Sequence, residues 1–111
     1  MSDCLFCQFA RKEKPKEFVD ENNLVMVFAD IHPVAPIHLL IVPKKHITEF
    51  IKFDEQDKII WEELNNMVKK MITKYQLESR GYRIVCNGGG AQLIDHFHIH
   101  LMGEITAEKK L

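Results

Sequence analysis

Three histidines fall at alternate positions in His96-Phe97-His98-Ile99-His100-Leu101-Met102-Gly103, and apolar residues fill the gaps between them. A β-strand turns successive side chains to opposite faces. The spacing therefore predicts a strand with His96, His98 and His100 along one face, neighbouring imidazoles roughly 7 Å apart. Phe97, Ile99 and Leu101 take the other face and pack on a core. Imidazoles aligned on one side of a buried strand are costly unless each finds a partner. One histidine on a strand is ordinary; three in register call for a chemical reason.

The residues just upstream point the same way. Asn87-Gly88-Gly89-Gly90-Ala91-Gln92 is a glycine-rich turn that delivers the chain into the histidine strand. Glycines let backbone N–H groups approach a ligand closely, and such turns form anion nests. A glycine turn beside aligned imidazoles predicts a phosphate held next to a histidine.

The 111 residues suit one domain with one core, and a 46% hydrophobic content fills that core without disulfides. Lysine and arginine number 15 against 16 acidic residues, for a net charge of −1. That balance argues against a nucleic-acid backbone binder, which would be basic. No apolar run is long enough to span a membrane. Met1-Ser2-Asp3-Cys4 shows no basic stretch followed by an apolar one, so the expected compartment is the cytoplasm. Three cysteines there read as thiols or metal ligands.

Cys4-Leu5-Phe6-Cys7 is open to three readings: a redox pair, half of a zinc site, or two buried thiols. No thioredoxin-type strand–helix context surrounds it. The zinc reading needs two more ligands brought close by folding, with His46 and His96 as candidates. Phe6, Phe9 and Ala10 predict a short helix that ends before Pro15. Phe18–Asp20 reads as a short strand, Glu21-Asn22-Asn23 as a turn, and Leu24–Asp30 as a β-rich strand. Asp30 closes that strand either as a turn former or as an acceptor for vicinal hydroxyls. Pro33 and Pro36 stiffen the next loop. His38–Pro43 is nearly all apolar, hence a strand buried on both faces, and Lys44-Lys45 is its solvated end.

Ile60, Leu64, Met67, Val68, Met71, Ile72 and Tyr75 recur at three- and four-residue spacing. They predict one long amphipathic helix from about Asp54, its cap, to Glu78, with Gly81 as the stop. Its apolar stripe serves the core or a dimer contact near Trp61. Tyr82–Asn87 is a further strand, with Cys86 in the core. His32 is exposed.

The run Asn87…Gln92…His96-Phe97-His98-Ile99-His100-Leu101-Met102 resembles the histidine triad (HIT) signature, His-φ-His-φ-His-φ-φ with φ apolar. Phe28-Ala29-Asp30-Ile31-His32-Pro33 through Val42-Pro43-Lys44-Lys45-His46-Ile47 matches the same family, so the resemblance covers about Cys4 to Gly103. It is most similar to the Hint-type branch, which binds nucleotides and cleaves nucleoside phosphoramidates. The resemblance implies an α+β fold in a single domain over 1–111: an antiparallel sheet of about five strands, one long helix and a short N-terminal helix. It also implies a homodimer with the two sheets joined.

The same resemblance implies the site. His98 attacks an α-phosphate, His100 stabilises the developing charge, His38 orients the triad, and His96 is its first member. Asp30 and Ile31 hold the ribose, Phe6 and Phe9 wall a purine, and Asn87, Gly90 and Gln92 hold phosphate oxygens. Cys4, Cys7, His46 and His96 hold structural zinc, and no metal enters the chemical step. Three departures stand out. Leu93 replaces the hydroxyl or polar residue that relatives place near the leaving group, and cannot donate a proton. Asp95 replaces an apolar, aromatic or small residue. The tail lacks the Trp-Pro-Pro-Gly of animal Hint proteins, so leaving-group preference is not carried over. The alternatives are a dinucleoside polyphosphate hydrolase and a weakly active nucleotide-sensing or partner-binding module.

Overall fold

Five strands in the order β1-β2-β3-β5-β4 form one fully antiparallel sheet in the computed structural model, which describes residues 4–108. The strands are β1 (Asp20–Glu21), β2 (Val25–Ala29), β3 (Ile37–Pro43), β4 (Tyr82–Cys86) and β5 (Ile99–Gly103). The helices are α1 (Leu5–Ala10) and α2 (Lys58–Lys74). Among the described residues no helix is long and apolar enough to cross a membrane.

The sheet has two working faces, and residue parity assigns them. Val25, Val27, Leu39, Ile41, Ile99 and Leu101 pack with the α2 stripe of Ile60, Leu64, Met67, Val68, Met71 and Ile72. Met26, Phe28, Leu40 and Val42 face the other way and pack with Phe6 and Phe9 of α1. The register Leu40↔His100 puts β5's histidine on this second face, beside its neighbours on β3. The central strand β3 is buried from His38 to Pro43, as an apolar run between two layers must be.

Helix α2 is shorter than its apolar period predicts. Asp54 does cap, but it caps a 3₁₀ turn at Glu55–Asp57 through a reciprocal capping box, and α2 begins only after it. At the other end Gln76 takes a left-handed conformation (φ 57°), which stops the helix before Leu77–Ser79 forms a second 3₁₀ turn. Gly81 closes that turn, donating its N–H to the Leu77 carbonyl at 2.9 Å. Its φ of +82° and the Ile105 carbonyl packed where a Cβ would stand leave room for glycine alone.

Two further expectations are corrected. Cys86 is exposed, not core. Tyr82 and Ile84, at 43% and 49% exposure, share its face. β4 is one of the sheet's two edge strands, and α2 covers Leu101 on β5 but does not reach over Ile84 beside it. The histidine strand is also shorter than the motif: β5 starts at Ile99, so His96 and His98 lie in the extended, bent approach to it. That bend lets His96 leave the line that His98 and His100 keep.

Candidate active site

His98 and His100 border a cavity of about 380 Å³ on the α1 side of the sheet. Their ring centroids are 5.0 Å apart, closer than the strand repeat because the rings lean together. Phe6, Phe9 and Phe28 form an aromatic wall, with Phe6–Phe28 centroids 5.3 Å apart in an edge-to-face contact. The wall exists because Phe28 keeps the parity of the buried strand β2, while α1 lays Phe6 and Phe9 across it. Asp30, Ile31 and Asn87 also line the cavity.

Hydrogen bonds assign the protons on the rings. His98 Nδ1 lies 2.8 Å from the His96 carbonyl oxygen. A carbonyl only accepts, so Nδ1 carries the proton and Nε2 keeps its lone pair. The Val34 N–H donates to His38 Nδ1 at 3.1 Å, which puts the His38 proton on Nε2. That Nε2 is 2.9 Å from His100 Nδ1 and 3.4 Å from Asp30 Oδ2. Donation to His100 Nδ1 in turn places the His100 proton on its own Nε2. One ring therefore offers a lone pair and the next offers a donor.

Burial holds the His100 imidazole down at about 4, with the neighbouring His98 and His38 adding to the effect and Asp30 opposing it. Burial also lowers His38, again against Asp30. Both rings stay neutral at physiological pH, as the assignment above requires. Asp30, His38 and His100 bring three ligating atoms within 4.8 Å of one another. The proton on His38 Nε2 removes the lone pair that a metal there would need.

The second group lies behind the wall. Cys4 Sγ, Cys7 Sγ, His46 Nδ1 and His96 Nδ1 all fall within 4.8 Å of one another, forming a cluster able to hold a metal ion. Cys7 Sγ–His46 Nδ1 and His46 Nδ1–His96 Nδ1 are both 3.2 Å, Cys4 Sγ–His96 Nδ1 is 3.3 Å, and Cys7 Sγ–His96 Nδ1 is 3.5 Å. Tetrahedral bonds of about 2.0–2.3 Å put ligand atoms about 3.3–3.8 Å apart, so the donor set fits such an ion closely. His96 is fully buried and its Nε2 donates to the Pro43 carbonyl at 2.7 Å, which turns the Nδ1 lone pair toward the thiols. Four such ligands would leave no open position on an ion, and none of the four residues lines the cavity.

The glycine turn is not an open nest. The Gly89 N–H donates to the Glu49 carboxylate at 3.1 Å, and the Gly90 N–H to the Gln92 side-chain oxygen at 3.2 Å. Gln92 also reaches the Thr48 carbonyl, at 3.4 Å. Asn87, Ala91, Leu93 and Ile94 are the parts of this loop that border the cavity; Gly90 and Gln92 are not in its lining. Leu93 is 99% exposed at the rim, and Asp95 faces solvent. His32 is exposed as expected, yet it too borders the cavity.

Sequence reasoning missed Phe28, Lys16, Ile94 and Glu49. Phe28 had a signal, since it shares parity with Asp30 on one strand. The other three are brought in by loops with no period to read.

Comparison with known proteins agrees with the geometry. Residues 3–110 match the family model described as scavenger mRNA decapping enzyme C-term binding. The chain is 36% identical to Protein HitA of Neisseria gonorrhoeae over 93% of its length and 97% of that protein. It is 41% identical to a HIT-like protein of Chlamydia trachomatis over 82% of its length and 81% of that protein. Among solved structures it resembles a HIT family hydrolase from Legionella pneumophila, with a TM-score of 0.86 at 39% identity over 94% of this chain and 95% of that one. A HIT family hydrolase from Clostridium thermocellum gives a TM-score of 0.90 at 30% identity over 100% and 98%. With its signature strand, its paired imidazoles and these relatives in agreement, the chain belongs to the histidine triad family.

Proposed function

We propose that the protein is a nucleotide-binding hydrolase that cleaves a nucleoside phosphoramidate, or a related α-phosphate bond, through a nucleotidyl-histidine on His98. The observation that carries this reading is the 2.8 Å contact from His98 Nδ1 to the His96 carbonyl, which leaves the Nε2 lone pair free beside an aromatic-walled cavity. Nε2 attacks the α-phosphorus. The bond to the leaving group breaks, and the leaving group keeps the electron pair and takes a proton. Water then attacks the phosphorus, the P–Nε2 bond breaks, and a nucleoside monophosphate departs. His100, with its proton on Nε2, donates to a phosphoryl oxygen as charge develops there. His38 and Asp30 hold His100 in that tautomer. Leu93 at the rim has no proton to give, so the leaving group is protonated from water.

In this reading Phe6, Phe9 and Phe28 bury the base, Asp30 accepts from the ribose hydroxyls beside Ile31, and Asn87 reaches the phosphate. Gly90 and Gln92 shape the loop that carries Asn87. Cys4, Cys7, His46 and His96 hold structural zinc, which ties α1 to the approach of β5. The subunits pair as a homodimer through the uncovered β4 edge, where Tyr82, Ile84 and Cys86 present an apolar strip. Sedimentation of the wild type should give a dimer and Ile84→Lys a monomer; a monomeric wild type removes this pairing.

The decisive experiment is release of nucleoside monophosphate from adenosine and guanosine phosphoramidate by the wild type and by His98→Ala. Turnover by the wild type and its loss in the variant is the expected result. Binding without turnover in the wild type would favour a nucleotide sensor, with the donorless Leu93 as its cause. Faster turnover of a dinucleoside polyphosphate would move the assignment to that substrate class.

A further inference from the structure

We infer that Lys16 selects the base, favouring a 6-oxopurine nucleotide over an adenine nucleotide. The inference rests on the nucleotide-site reading above and adds the identity of the base. The Lys16 ammonium lies 5.1 Å from the Phe28 ring centroid and 5.5 Å from that of Phe9. Lys16 is half-buried and lines the same cavity as His98 and His100. The cavity's other polar side chains are Asp30, His32, Asn87 and the two histidines, and Lys16 alone has its charged atom over the aromatic wall. No carboxylate of the described residues pairs with it. The nearby Lys12 differs: it sits over Phe18 and is bound to Glu21 at 2.7 Å.

The order of contacts fixes which end of a nucleotide Lys16 meets. The His98 ring touches Phe6, with centroids 5.3 Å apart, and Phe6 touches Phe28 at 5.3 Å. Lys16 lies over Phe28 and Phe9, while the wall ring in contact with His98 is Phe6. With phosphorus at His98 and a purine against the rings, the ammonium stands at the base edge remote from the phosphate. A lysine offers three donors and no acceptor. Guanine and hypoxanthine present O6 and N7 there, both acceptors; adenine presents N7 beside an amino donor. Lys16 completes a charge-assisted hydrogen bond with the oxo bases and confronts a donor in adenine.

The test is equilibrium binding of GMP, IMP and AMP to the full chain and to Lys16→Met, which keeps the apolar stem over the rings and removes the charge. A hydrogen bond to a charged group predicts that GMP and IMP bind the wild type about tenfold more tightly than AMP. In Lys16→Met the preference falls to near unity while AMP affinity stays within about threefold. IMP isolates the 6-position, since it lacks guanine's 2-amino group. Equal binding of all three nucleotides by the wild type, or an unchanged preference in Lys16→Met, overturns base selection and leaves the nucleotide site standing. Failure of the wild type to bind any of the three overturns the nucleotide site and this inference together.

Discussion

His96 and His98 stand two residues apart in one motif and use their ring nitrogens in opposite ways. His96 is sealed from solvent, donates Nε2–H to Pro43, and turns Nδ1 to two thiols and a second imidazole. His98 donates Nδ1–H to a backbone carbonyl and turns Nε2 to a cavity. The first arrangement closes four donors on one point and suits holding. The second leaves a lone pair beside open space and suits attack. The carbonyl that fixes His98 belongs to His96, so the rigid group also aims the reactive one. The difference lies in what each second nitrogen meets, since both side chains are chemically the same.

The strongest way to break this contrast is to remove one member of each group and compare. His98→Ala should lower turnover by about four powers of ten or more, as loss of a covalent nucleophile does, with little change in thermal stability. A variant retaining a tenth of the activity would place the nucleophile elsewhere. Cys7→Ser should do the reverse. Metal analysis should find zinc near one per chain in the wild type and well below that in the variant, with Tm lower by about 10 °C. Wild-type protein purified without chelators and free of zinc would leave the cluster as buried thiols and imidazoles only.

The cavity side can then be sharpened at the ribose. A ribonucleotide should bind about tenfold more tightly than its 2′,3′-dideoxy counterpart, and Asp30→Ala should erase the difference. An unchanged ratio would return Asp30 to the simpler task of holding His38 and the His32 N–H.

The smallest effect concerns pH. Burial lowers the His100 imidazole from 6.5 to about 4 in the folded chain. Between those values the unfolded chain binds a proton that the folded one does not. The stabilising share of neutral His100 is therefore complete above about pH 6.5 and is lost progressively as pH falls to about 4. Denaturant unfolding across that window should show the decline, and His100→Gln should make it shallower. An equally steep decline in the variant would assign the effect to other groups.

Much of this was legible in the chain itself. A β-rich run and an all-apolar run placed β2 and β3 to within a residue, and the 3.6 period picked the six α2 residues that are buried. Those signals are strong because each records a whole face meeting one layer. The limits of α2 were not legible, because Asp54 and Gln76 act through local backbone conformation that the apolar stripe does not record. Cys86 was misplaced because an apolar strand looks the same from its sequence whether or not a helix covers it. The glycine turn read as an open anion nest because Glu49, forty residues earlier in the chain, gives no sign that it fills one of its N–H groups.

The sequence by itself determined the alternation of imidazoles, the apolar faces of strand and helix, and the ligand types present, since these depend only on residue identity and local period. Tertiary structure alone decided the division of labour among the histidines. Which nitrogen carries a proton depends on the Pro43 and His96 carbonyls and the Val34 N–H. His38 meets His100 only because β3 and β5 pair in their particular register. Tautomer and proximity are properties of neighbours in space: Pro43 and His100 lie 53 and 62 residues from the rings they meet, and the two nearer partners, the His96 carbonyl and the Val34 N–H, are aimed by a bend and a loop that carry no period.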